Sequence, residues 1–144
     1  MLDTNTIGKL TELEVLHYII KLGYSASLPF GEKDRYDQIW DINGKLIRIQ
    51  VKTARINTHE KNPDNFSIIF NCRSSYTKRN KTMHHKYNKN EVDYFATMWE
   101  NQLYLVPVEE CSDRKILRFS TSQENQPNIS WAKDYEVEKV LKRI

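Results

Sequence analysis

Asp37, Gln50 and Lys52 put an acid, an amide and a lysine on two short runs joined by Asn43-Gly44. Asn-Gly is a strong hairpin signal, because both central residues of a type I′ turn need positive φ. With those two residues as the loop, Ile42 faces Lys45 and Asp37 sits opposite Gln50. Side chains alternate along a strand, so Lys52 shares the face of Gln50. The other face carries Tyr36, Trp40, Ile42, Ile47, Ile49 and Val51. A one-residue slip would expose that apolar set, so the register is well specified. The chemistry such a cluster suits is metal-dependent phosphodiester cleavage. A hard cation such as Mg²⁺, or Mn²⁺ in its place, takes oxygen ligands. Asp37 offers a carboxylate, Gln50 an amide oxygen and Val51 a backbone carbonyl. Lys52 beside them would stabilise charge on the phosphate or help orient and deprotonate water.

A second carboxylate comes from the segment 8–22, which reads as a helix ended by Gly23 at C′. Glu12 lines up there with Leu16 and Ile19, the stripe expected to face the core. Glu14 lines up with His17, Tyr18 and Lys21 on the wet side. A carboxylate on a buried stripe costs free energy unless it is paired or binds a metal. Glu12 is therefore a candidate ligand, with the favourable helix N-terminus as its blander explanation.

These residues, together with Gly23-Tyr24, Pro29-Phe30-Gly31, Arg35-Tyr36-Asp37 and Ile49-Gln50-Val51-Lys52-Thr53, resemble the PD-(D/E)XK nuclease superfamily. The nearest likeness is to the branch of group I intron-encoded homing endonucleases and archaeal Holliday-junction resolvases. Val92 to Ala96 and Leu103 to Val108 are also similar to that branch, so the likeness spans roughly residues 8–108. The resemblance implies that Glu12 and Asp37 are metal-binding acids and Lys52 the catalytic lysine. Gln50 stands where most members have Glu or Asp, which removes one negative charge and should weaken cation binding. The intron-encoded branch carries Gln there and remains active. The implied fold is an α/β restriction-endonuclease-like sandwich, a mixed sheet with a central hairpin flanked by helices.

Length and composition fit one domain. A chain of 144 residues can bury a single substantial core, and few Gly and Pro argue against disorder or repeats. No apolar run approaches membrane-spanning length, and the N-terminus lacks a basic-then-apolar leader pattern. Cys72 and Cys111 have no CxxC partner and read as free thiols of a cytoplasmic, nucleoid-associated protein. The net charge of +3 is informative only in its distribution. Residues 73–90 hold Arg73, Lys78, Arg79, Lys81, Lys86 and Lys89 with no acid, and the other 16 basic residues face all 19 acids. The whole positive excess thus lies in one polar segment, interleaved with Tyr76, His84, His85 and Tyr87. It fits a phosphate-gripping loop or arm. Adjacent histidines point apart and no third ligand has metal spacing to them, so zinc is disfavoured.

Arg35 and Arg48 fall on the same hairpin face as Lys52, and Arg55 follows the motif. They join Lys78, Arg79, Lys81, Lys86 and Lys89 as candidate nucleic-acid contacts, Arg35 for a phosphate. Asp41, near the turn, reads as solvated. Strands are expected over 24–28, 66–71, 93–99, 102–108 and 116–120, with a hairpin around Glu100-Asn101. A linker spans 121–130, and an amphipathic helix spans 131–144, with Val137, Val140, Leu141 and Ile144 inward. The expected activity is Mg²⁺-dependent DNA endonuclease, homing-endonuclease-like. The rivals are a junction resolvase and a catalytically silent nucleic-acid-binding module. One site cuts one strand, so a homo-oligomer, dimer or tetramer, is expected.

Overall fold

The structure, a computed structural model, describes residues 1–31, 33–120 and 127–144. The first helix, α1 (Thr4–Lys21), starts four residues earlier than expected, because the Asp3 side chain caps it by accepting from the Thr6 N–H at 2.7 Å. It ends at Gly23, whose φ of +100° supplies the left-handed C′ position. Its buried stripe is Thr11, Val15 and Ile19, not Glu12, Leu16 and Ile19. Glu12 and Leu16 flank that stripe and are half-buried.

Three strands follow: β1 (Ser25–Ser27), β2 (Gln38–Ile42) and β3 (Lys45–Val51). Asn43 and Gly44 both take positive φ, 54° and 94°, and Ile42 pairs with Lys45 as the turn chemistry requires. Asp41 accepts from the Gly44 N–H at 2.7 Å and so braces the turn. Trp40, Ile42, Ile47, Ile49 and Val51 are buried on one face, as their alternation predicts. The ladder stops at Gln38 opposite Ile49. Asp37 donates its N–H to the Ile49 carbonyl at 2.7 Å, which departs from the direct Asp37–Gln50 pairing expected.

Next come β4 (Arg55–Ile56), β5 (Phe66–Asn71), β6 (Arg73–Lys78), β7 (Lys81–Lys86), β8 (Tyr94–Trp99), β9 (Gln102–Pro107) and β10 (Arg114–Ser120). Sheet order is β1-β2-β3-β8-β9, with β3 parallel to β8 and every other pair antiparallel, hence a mixed sheet with the β2–β3 hairpin inside it. A second sheet runs β10-β5-β4, and β6 with β7 forms a ribbon of its own. Alternating residues of β8 and β9 feed two cores. Ala96, Leu103 and Leu105 pack with α1 and the hairpin, while Phe95, Tyr104 and Val106 pack with Ile68, Phe70 and Leu117 of the second sheet. The central sheet is thereby covered on both faces, which fits a sandwich.

The closing segment departs from the single helix expected over 131–144. A 3₁₀ turn (Ala132–Tyr135) and a short helix, α2 (Val137–Leu141), are separated by Glu136. Glu136 is extended (φ −57°, ψ 133°) and bridges Tyr104 on the edge strand β9, so the helix cannot pass through it. Val137, Val140 and Leu141 are buried, with Ile144 packed on the same core. Of the linker expected over 121–130, residues 121–126 lie outside the described residues. Cys72 and Cys111 are unbridged thiols in and against the second core. Among the described residues no helix is long and apolar enough to cross a membrane.

Candidate active site

Asp37 lies where the β2–β3 hairpin opens beside α1. Its backbone is fixed by the Ile49 carbonyl, and its Oδ2 accepts from the Val51 N–H at 2.8 Å. Val51 thus enters the site through its N–H as well as its position beside Gln50. Burial pushes the Asp37 carboxyl up to about 7, and the Glu12 carboxyl, within hydrogen-bonding reach, pushes it the same way. The Val51 N–H and the Lys52 charge pull against this and lose.

Glu12 is brought there by a buried relay that sequence reasoning missed. Gln38 is 1 % exposed; its Nε2 donates to the Glu12 backbone carbonyl at 2.8 Å, and its Oε1 accepts from Trp40 Nε1 at 3.0 Å. A glutamine in the inward-facing parity of Trp40 and Ile42 was the available clue. On the other side of α1's stripe, Thr11 Oγ1 meets Thr53 Oγ1 at 2.8 Å, tying the helix to the residue after Lys52. Lys9 pairs with Glu12 at 3.4 Å on the solvent side. A cleft of about 210 Å³ opens between these parts, lined by Lys9, Glu12, Leu13, Leu16, Leu28, Asp37 and Gln38.

Lys52 leaves β3 with its N–H bonded to the Ala96 carbonyl of β8 at 2.9 Å. Its Nζ donates to the Arg73 carbonyl at 3.3 Å and lies 5.2 Å from the Tyr87 ring centroid. Burial lowers its pKa first and the Arg35 charge adds to that, against the opposing pull of Asp37 and Cys72. Gln50 is half-buried and pairs with Phe95 of β8. Among the described residues its side-chain amide has no hydrogen-bond partner, so its oxygen is uncommitted.

This donor set fits a hard divalent cation. The Glu12 and Asp37 carboxyl groups meet at one site, and Gln50 immediately precedes Val51, whose N–H binds Asp37. Among the described residues no three His, Cys, Asp or Glu gather for a metal. The acids that do meet there are the pair Glu12 and Asp37.

The structural consequence is a pH-dependent strain. A carboxyl raised in the folded state binds more protons there than in the unfolded chain, so stability falls as pH rises from about 4 through about 7. Asp37→Asn is expected to raise the melting temperature of metal-free protein at pH 8 and leave it nearly unchanged at pH 4, by differential scanning calorimetry. A wild-type melting temperature that climbs with pH over that window would overturn this.

The cationic candidates separate into braces and free charges. Arg35 donates Nε to Glu91 at 2.8 Å and Nη1 to Ser74 at 2.8 Å, and stacks 3.8 Å from the Tyr87 ring centroid. Arg48 grips Asp93 (Nε to Oδ2 3.2 Å, Nη2 to Oδ1 3.1 Å) and the Lys89 carbonyl at 2.7 Å. Both guanidinium groups therefore hold the 86–93 segment in place, rather than standing free for a phosphate. Arg55 is exposed on β4. Lys86 and Lys89 make loose surface pairs with Asp113 and Glu109, each at 3.6 Å. Among the described residues Lys78, Arg79 and Lys81 form no ion pair. His84 bonds Ser75 at 2.9 Å and His85 faces Glu91 at 3.5 Å, so neither reaches the site.

The chain matches the family model described as PD-(D/E)XK endonuclease over residues 2–138. No curated protein matches it. Among solved structures it is similar in fold to the bacterial homing endonuclease I-Ssp6803I. The TM-score is 0.78 at 20 % identity, over 99 % of this chain and 95 % of that one.

Proposed function

The chain belongs to the PD-(D/E)XK endonuclease family, and from that premise we propose that it is a Mg²⁺-dependent endonuclease that cuts duplex DNA in the manner of a homing enzyme. The observation that carries the reading is the meeting of the Glu12 carboxyl of α1 with the Asp37 carboxyl, the latter raised toward neutrality, beside the strand pair that presents Lys52. Glu12, Asp37 and Gln50, with the Val51 carbonyl, would hold the cation. A bound divalent ion supplies Lewis-acid stabilisation of the charge that develops on the phosphate. Lys52, anchored by the Arg73 carbonyl, orients the attacking water and offsets negative charge on the non-bridging oxygens. The water oxygen bonds to phosphorus as one ester P–O bond breaks. Tyr87 and the apolar wall of β8 keep bulk water from the Lys52 side, which strengthens its charge interactions.

The homing-type substrate is taken from the likeness in fold to I-Ssp6803I. One site per chain cuts one strand, so a double-strand break needs two copies, and a symmetric homo-oligomer supplies them. Gln50 in place of an acid favours a second reading, a nucleic-acid-binding module that does not cut.

Plasmid, linear duplex and four-way-junction DNA offered with Mg²⁺ or Mn²⁺ separate these readings. Cutting of duplex that disappears with chelator and in Asp37→Ala supports the proposal. Selective cutting of the junction would replace it with a resolvase. Tight, salt-sensitive binding with no cutting under any metal would sink the nuclease mechanism.

A further inference from the structure

Among the described residues the ribbon β6–β7 pairs with no other strand, and every residue of β7 is exposed. Arg79 and Asn80 at its tip both take positive φ, 52° and 62°, the type I′ geometry of a tight two-residue turn. A lone two-stranded ribbon is marginal in water, and among the described residues the bonds that hold this one to the body lie at its root. There Ser74 bonds Arg35, two residues from Asp37, and the Arg73 carbonyl holds Lys52. The ribbon is thus an arm rooted on the cleavage site.

Its two faces differ. Paired residues share a face, so Ser74–His85, Tyr76–Met83 and Lys78–Lys81 form one face, which contacts the body through Arg35 and Glu91 at its root. Tyr76 and Met83 sit directly opposite each other at 48 % and 40 % exposure. An exposed aromatic–thioether pair with lysines on the next rung is a costly surface unless something covers it. The opposite face is polar, with Arg73 and Lys86 paired to Asp113 at its root, Ser75 and His84 already bonded to each other and Thr77 opposite Thr82.

Charge names the class of partner: residues 73–90 carry six basic side chains and no acid. Shape narrows it further. The major groove of B-DNA admits a two-stranded ribbon, whereas the major groove of A-form RNA is too deep and narrow for side chains to read. Six residues per strand extend about 20 Å, and successive rungs on one face lie about 7 Å apart, or roughly two base-pair steps.

We propose that this arm enters the major groove beside the scissile phosphate and reads sequence through its Tyr76–Met83 rung, with Lys78 and Lys81 contacting the flanking guanine edges or phosphates. The aromatic and thioether groups suit thymine methyls, the one apolar mark on a major-groove edge. The inference rests on the DNA-directed reading above, but it concerns binding and does not require that the protein cuts.

The test is selection of bound duplexes from a randomised DNA pool, with Asp37→Ala as the parent so that binding is scored without cleavage. Tyr76→Ala/Met83→Ala and Thr77→Ala/Thr82→Ala are compared in that background, with thermal melts to confirm that each still folds. The parent should select a motif. The Tyr76/Met83 variant should lose preference over about three to five adjacent base pairs, and bind the parental motif about tenfold to a hundredfold more weakly. The Thr77/Thr82 variant should keep the motif, and Lys78→Gln/Lys81→Gln should lower the salt dependence of binding. An unchanged motif in the Tyr76/Met83 variant, an equal loss in both double variants, no motif from the parent, or tighter binding of double-stranded RNA would each overturn the proposal.

Discussion

Lys52→Met is expected to lower the single-turnover cleavage rate about 10²–10³-fold while DNA affinity changes little. Methionine keeps most of the buried volume between β3 and Tyr87, so the loss isolates the ammonium and not the packing. The geometry demands this asymmetry. Lys52 is half-buried, with Nζ on the Arg73 carbonyl, whereas the exposed cations that could grip phosphates lie on the ribbon and at Arg55 of β4. Single-turnover kinetics beside filter binding at one salt concentration would check it. Weakened binding at a preserved rate would assign Lys52 to substrate capture instead.

Trp40→Ala is expected to destabilise the protein by about 3–5 kcal/mol, the range for deleting a large buried aromatic side chain. Trp40 is fully buried in the core shared by α1, the hairpin and α2. It is also the donor that satisfies Gln38, whose amide in turn holds the Glu12 carbonyl. Trp40→Phe keeps most of the ring volume but strands the Gln38 oxygen, a loss of about 1–3 kcal/mol. Urea unfolding followed by circular dichroism would rank the two. Were Trp40→Phe as damaging as Trp40→Ala, the hydrogen bond and not the volume would dominate.

What could be read from the sequence was local. Asn43-Gly44 and Gly23 set their turns through backbone chemistry within two residues and take the positive φ foreseen, and the hairpin expected around Glu100-Asn101 turns on the same positive-φ geometry. Those turns placed Asp37, Gln50 and Lys52 on one hairpin. The helix face was misread because α1 has apolar residues on more than one side: Leu10, Leu13 and Ile20 stay exposed while Thr11 is buried against Thr53. Hydrophobic spacing cannot choose a face in such a helix. The ribbon escaped notice as a hairpin because its strands are mostly polar and exposed, and Tyr76 and Met83, one in each strand, are too few to make a period-two pattern. The grip of Arg48 on Asp93 joins residues 45 positions apart, and the extended break at Glu136 depends on Tyr104; no local pattern encodes either. Glu12 meets Asp37 despite the misread face, since what carries it there is the Gln38 relay rather than the helix stripe.

The parallel pairing of β3 with β8 also orders events in time. The hairpin bearing Asp37 can close by itself, because its loop is two residues long. Gln50 and Lys52 gain their β8 partners, Phe95 and Ala96, only after the intervening chain with its second sheet and ribbon has been looped out. Such long-range closure is slow compared with hairpin formation. In refolding, far-UV ellipticity should therefore recover ahead of cleavage. During synthesis, the growing chain passes through a stage that has Asp37 and Lys52 but no β8 to anchor the lysine, and it acquires cutting power only when the centre of the sheet zips shut.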